Sequence, residues 1–197
     1  MEGSCLRPGI DVRIPAEVPP PEQRGHGRFR VLWDTGPVRT SVDVHNFLLE
    51  RDTPHEVFLA RGRLRSADRI AAVLDLRPAE VGRVVLFETE KGAVAAVVAS
   101  DREPDPARVA RAAQVPEASP ASTQRAAEIT EYQEGSIPPT GLPDGVRVLM
   151  DRELNREDVL YFPAGEPRAV LKIRGVDLRR ATKAKVARLA ADPADGG

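Results

Sequence analysis

Apolar residues along the chain recur with two distinct spacings. Val44, Phe47 and Leu48 stand at i, i+3 and i+4 behind Ser41, whose hydroxyl can accept an orphan amide, so a helix capped by Ser41 is predicted there. Ile70, Val73 and Leu74 repeat that spacing behind Ser66 and predict a second helix, from 66 to 74. Pro106 opens a third at a first-turn position, where its missing amide costs nothing, and 121–130 reads as a fourth. Elsewhere the apolar run is β-branched. "HEVFLA" (55–60), "VRVLMD" (146–151), "VLYFPA" (159–164) and "RAVLKIR" (168–174) read as strands. "GRVVLFETEKGAVAAVVAS" (82–100) holds two such runs around "ETEKG", a hairpin signal in which Gly92 is available for positive φ. Segment 177–191 reads as a basic closing helix.

Strands and helices mix without strict βαβ alternation, so the expected fold is a single mixed α+β domain rather than a doubly wound sheet. At 197 residues and 41% hydrophobic the chain can bury one core. Residues 1–40 are rich in Pro, Gly and Arg and read as a largely disordered arm, apart from "RFRVLW" (28–33), which suits one strand. The domain is expected to span 41–191, with 192–197 as a tail.

Charge adds a partner to this picture. The net charge is only -1, yet Arg168, Lys172, Arg174, Arg179, Arg180, Lys183, Lys185 and Arg188 face one acid, Asp177, between 168 and 190. Arg61, Arg63, Arg65 and Arg69 against Asp68 form a second cluster. Two such clusters in a balanced chain favour a polyanion over plain solvation. No run of about 18 apolar residues occurs, and the first thirty residues carry five prolines where a leader would need an apolar core. A cytoplasmic protein is expected. Cys5 is alone, and His26, His45 and His55 show neither an i, i+4 pair nor HExxH, so no metal is expected. No phosphate-binding glycine loop and no GxSxG elbow is present, so no cofactor is expected.

The remaining signal is "YQEGSIPPTGLPDG" (132–145), with three glycines and three prolines. Proline fixes φ and removes donors, while glycine lets backbone approach a ligand, so the amides of Gly135, Ser136, Ile137, Thr140 and Gly141 can be aimed. Such a cradle suits preorganised binding of a carbonyl oxygen, a water or an amino group; a rigid linker between strands is the alternative.

"EYQEGSIPPTGLP", followed by "VRVLMDREL" and "VLYFPAGEPRAVLKI", resembles the YbaK/ProX type of aminoacyl-tRNA editing domain, which also occurs inserted in bacterial prolyl-tRNA synthetases. The likeness runs from about Val42 to Ala190. It implies a curved mixed sheet flanked by helices, and hydrolysis of a mischarged amino acid from the 3' end of tRNA, in trans when the domain stands alone. It further implies that Gly135, Pro139 and Gly141, with Ser136 and Ile137, surround the aminoacyl ester, that Asp151 closes the site and that Gly165 is a second backbone turn. A cap for "RELNRED" is the other reading of Asp151, and an ordinary hairpin turn that of Gly165. The helix from Ser66 and the strand from Gly82 complete the pocket wall.

Two residues depart from the pattern. Arg83 stands where the family usually has lysine; it cannot act as a base, but its planar fork can bind a phosphate or polarise a carbonyl. Glu131 replaces the loop's first glycine. The resulting expectation is a deacylase for a small amino acid (Cys/Ala-type on tRNA for proline or similar), with Arg83, Gly135 and Asp151 as its catalytic set. Arg61, Arg63, Arg65, Arg179, Arg180 and Lys183 would contact tRNA phosphates, and an aminoacyl-tRNA synthetase, recruited by the 1–40 arm, would be a second partner. A catalytically silent tRNA- or amino-acid-binding module of the same fold is the rival reading.

Overall fold

The computed structural model describes residues 39–64 and 66–190. In chain order these form α1 (Ser41–Leu49), β1 (His55–Leu59), α2 (Ala67–Leu74), β2 (Gly82–Thr89), β3 (Gly92–Ala99), α3 (Pro106–Ala113), β4 (Ser119–Pro120), α4 (Thr123–Thr130), β5 (Arg147–Asp151), β6 (Val159–Pro163), β7 (Ala169–Arg174), α5 (Gly175–Thr182) and β8 (Lys185–Ala187). The mixed α+β expectation holds. "RFRVLW" lies outside the described residues, as does Arg65.

The hairpin of β2 and β3 is the spine. Its register runs from Gly82 opposite Ala99 to Thr89 opposite Gly92, and Gly92, at φ +97°, closes the tight turn. β5 joins β3 in parallel, β8 joins β5 in parallel and β4 caps the other edge, giving the order β4-β2-β3-β5-β8. A second, antiparallel sheet has the order β1-β7-β6, and one bridge between Val81 and Tyr161 joins the head of β2 to β6.

Alternation along each strand assigns the layers. On the larger sheet Phe87, Val94 and Leu149 pack under Val109, Ala110 and Ala113 of α3, while Leu86 and Ala95 face α4 and the Gly/Pro loop through Ala126, Ile137 and Leu142. On the smaller sheet Leu171 and Ile173 face α1 and α5, and Val170 faces α2. Burying Phe87 and Leu86 contributes about 1.5–3 kcal/mol each. Among the described residues no helix is long and apolar enough to cross a membrane.

Three local expectations are corrected. Helix α1 is capped by Thr40, one residue early: Thr40 Oγ1 accepts from the Val42 amide at 3.3 Å, and the Asp43 carboxylate accepts from the Thr40 amide at 2.7 Å. An acid three residues on selects the cap. In α2 it is Ala67, Ile70 and Ala71 that are buried, whereas Val73 is 42% exposed. The basic helix ends at Thr182, because Lys183 turns left-handed (φ +53°) and the chain then pairs with β5. Lys185 and Arg188 point outward while Leu189 is buried. The charge density of this segment hides a short strand.

Candidate functional site

A cavity of about 270 Å³ opens between β2, α2, α4 and the Gly/Pro loop. Each wall follows from local sequence. Residues 83–86 of β2 form the floor; Leu86 points to this side because Phe87, its neighbour, is turned to α3. Ser66 and Ser122 cap α2 and α4 by accepting from the amides of Arg69 and Arg125, at 3.2 Å each. Ser66, Ala67 and Asp68, and beside them Ala121 and Thr123, line the cavity, so the N-terminal ends of two helices open onto it. Their partial positive charges add to that of Arg83. Among the described residues Asp68 is the one carboxylate in the lining.

Gly135 and Ile137 bring the loop to the cavity, whereas Ser136, Pro139 and Gly141 lie buried behind it. The support is a network that sequence reading missed, centred on Tyr132, which is 1% exposed. Its hydroxyl donates to the Gly141 carbonyl at 3.0 Å. Burial, and secondarily the Asp43 carboxylate, push its phenol above the usual range, so the group stays neutral. Arg39 Nη1 donates to the same carbonyl at 3.1 Å, and Arg39 Nε to Glu131 at 2.8 Å. The Gly165 amide donates to the Ser136 carbonyl at 2.8 Å, tying the β6–β7 turn to the loop. A Cβ on Gly165 would come within 2.8 Å of the Thr40 backbone and 2.9 Å of the Tyr132 ring. Glu131, at φ +61°, is the left-handed cap of α4, the conformation in which a glycine is at ease.

Arg83 lines the cavity by a side chain that is 29% exposed. Its Nε and Nη2 donate to the Arg102 carbonyl at 3.3 and 2.7 Å, and Nη2 also pairs with Glu103. Asp151 is not in the lining. It is 4% exposed, accepts from the Glu153 amide at 2.9 Å and, through Oδ2, from the amides of Leu189 and Ala190 at 2.7 and 3.0 Å.

The basic residues separate into two regions. Arg61 and Arg63 are exposed on the loop that runs into Ser66, and that loop is pinned to Pro167 and Arg168 by the amides of Leu64 and Ala60. A groove lined by Thr123, Gln133, Glu134, Gly135 and Pro167 shares Thr123 and Gly135 with the cavity and leads toward this loop. Arg179, Arg180 and Lys183 are exposed on or just beyond α5, away from the cavity lining, and Arg180 donates to the buried Asp177 at 3.0 Å. His45 and His55, ten residues apart, meet at 2.9 Å, but among the described residues no group of three or more His, Cys, Asp or Glu could hold a metal. The only sequence signal for Tyr132 was its place, as one of two tyrosines, at the head of the Gly/Pro loop. Thr123 and Glu103 gave none.

The fold is shared with solved structures. A hypothetical protein of known crystal structure superposes with a TM-score of 0.72 at 23% identity, covering 76% of this chain and 99% of that one. A proposed trans-editing enzyme for prolyl tRNA synthetase gives 0.70 at 23% identity, covering 77% and 97%. No curated protein matches the sequence significantly. The profile of the aminoacyl-tRNA editing domain matches residues 63–181, more than half of the chain and every wall of the cavity, and on that match the chain belongs to the aminoacyl-tRNA editing domain family.

Proposed function

We propose that this chain is an aminoacyl-tRNA deacylase that acts in trans and removes a small amino acid, of the Cys or Ala kind, from tRNA for proline or a similar tRNA. The observation that carries the reading is the convergence of two helix N-termini and Arg83 on one small cavity. Water adds to the ester carbonyl, negative charge develops on its oxygen, the bond to the ribose oxygen breaks and that oxygen leaves as a hydroxyl. Donors fixed in advance around the developing charge lower this barrier without a protein nucleophile. Leu86, Ala126 and Ile137 bound the apolar part of the cavity and leave room for a short side chain. Each methylene excluded there is worth about 1–3 kcal/mol of discrimination. Asp68 suits the α-ammonium. The groove past Gly135 toward Arg61 and Arg63 suits the tRNA end, whose phosphates those arginines would meet.

In this reading the catalytic set narrows to Arg83 and the loop at Gly135 and Ile137, and Asp151 acts from outside the cavity. The domain is taken to span 41–191. The preceding arm is assigned to recruitment of a synthetase, and truncation before Val38 should then abolish co-purification with it. The protein would work in the cytoplasm.

Arg83→Ala and Gly135→Val should each slow ester loss, the first by about 100-fold, as for removal of one oxyanion donor. Unchanged rates in both variants would overturn the site. The rival, a silent binding module, is favoured by one observation: three of the donor contacts of Arg83 are spent on Arg102 and Glu103. It predicts tRNA affinity without cleavage, and activity gained on Arg83→Lys.

A further inference from the structure

Arg83 does not hang free in the cavity. One edge of its guanidinium is occupied: Nε and Nη2 both reach the Arg102 carbonyl, and Nη2 also reaches the Glu103 carboxylate. Nη1 has no hydrogen-bond partner among the described residues and is the donor left for a ligand. A planar fork held at one edge presents its remaining donor in a fixed direction, whereas an ammonium turns on a flexible stem and shares three rotatable donors among its partners.

The holder is itself fixed. Residues 102–105 are tied down at both ends, by the Arg102 amide on the Ala99 carbonyl at 3.1 Å and the Asp105 amide on the Leu189 carbonyl at 2.9 Å. Pro104 bridges to Ala190. Leu189 and Ala190 in turn give their amides to Asp151. A continuous line of hydrogen bonds therefore runs from the buried Asp151 carboxylate through the 189–190 segment and the 102–105 loop to Arg83.

We propose that Glu103 is a positioning residue for Arg83, with Asp151 as the anchor of the loop that carries it, so that the guanidinium is clamped from its rear edge and Nη1 is held in one direction. The proposal rests on the deacylase reading for its catalytic consequence, but the clamp itself does not. Glu103 is 81% exposed, so the ion pair is screened and its effect is modest. Its function is to fix direction.

Two measurements on the full chain test this. In protein carrying ¹⁵N-labelled arginine, the Arg83 side-chain signals should show slow rotation of the guanidinium and slow exchange of its Nη2 hydrogens. Glu103→Ala should reduce that slowing, with the Arg102 carbonyl retaining the rest, and Glu103→Asp should restore part of what is lost. In single-turnover deacylation, Glu103→Ala should lower the rate constant by roughly two- to fivefold with little change in KM when residue 83 is arginine, and by a clearly smaller factor in the Arg83→Lys background. A general structural defect would cost both backgrounds alike. An unchanged Arg83 signature in Glu103→Ala, or equal losses in the two backgrounds, overturns the proposal. A signature that responds as expected, in a protein that cleaves no ester, supports the clamp and counts against the deacylase reading.

Discussion

Gly165→Ala isolates the contact between the β6–β7 turn and the base of the loop. Gly165 has φ +85°, so any residue with a Cβ costs about 1–2 kcal/mol of backbone strain there. The added carbon would also meet the Thr40 carbonyl carbon at 2.8 Å, the Tyr132 ring at 2.9 Å and the Thr40 oxygen at 3.0 Å. Two of these are backbone atoms of the α1 cap and the third belongs to a buried ring, so neither neighbour can yield cheaply. Overpacking of this kind costs about 1–3 kcal/mol, for a total of about 2–5 kcal/mol. A domain with ~5–15 kcal/mol of stability survives such a loss. Gly62 supplies the control: its φ is +90°, but a Cβ would find nothing within 4 Å. Gly62→Ala should therefore show the strain alone. Urea unfolding of the two variants beside the parent reads the difference directly, and at a slope of about 1–3 kcal/mol per molar the Gly165→Ala midpoint should fall lower by about 1 M. Because the Gly165 amide holds the Ser136 carbonyl, ester cleavage should weaken with it. Equal destabilisation of the two variants would refute the packing argument.

Other expectations follow from the same network. Asp151→Ala leaves the amides of Leu189 and Ala190 unpaired in a buried setting and should cost about 1.5–3 kcal/mol by urea unfolding, with the Arg83 signature disturbed as in Glu103→Ala. At position 131, where φ is +61°, glycine should be more stable than alanine by about 1 kcal/mol, since both lose the Arg39 pair and only alanine keeps the strain. Tyr132 has its folded pKa raised above its ordinary value of 10.0, so its contribution is complete below pH 10 and is lost as pH rises through the folded value. Thermal unfolding between pH 8 and 11 should show an alkaline decline in the parent that is smaller in Tyr132→Phe.

Much of the fold was legible because its signals are local. The hairpin carried its β-branched runs and its Gly92 within twenty residues, and Ser66 announced α2 three residues ahead of the amide it caps. The loop could be read as stiff from its glycines and prolines alone, with a preorganised cradle and a rigid linker both open. What stayed hidden depends on residues far apart in sequence. β8 exists only because β5, over thirty residues earlier, offers a parallel edge to "KVA", a stretch with helical composition. Tyr132 gains its role from Gly141, Gly165 and Thr40, and no local pattern distinguishes it from any other buried aromatic. For Asp151 the resemblance implied closing the site and the local sequence allowed a cap for "RELNRED"; its lone pairs go to the Glu153 amide and to amides on the C-terminal segment, which no local pattern announces. The basic clusters were visible as charge, but only the tertiary fold separates Arg61 and Arg63, on a loop leading to the cavity, from Arg179 and Lys183 at α5.

The most direct test of the central claim is protein-dependent loss of the ester bond from charged tRNA. The purified protein is incubated with tRNAs carrying cysteine, alanine, serine, threonine or proline, tRNA for proline mischarged with alanine or cysteine among them, and the remaining ester is followed over time. The account predicts loss well above the buffer rate for one or two small amino acids, slowed by Arg83→Ala. Loss at the buffer rate for every charged tRNA, with tRNA still bound, would contradict it.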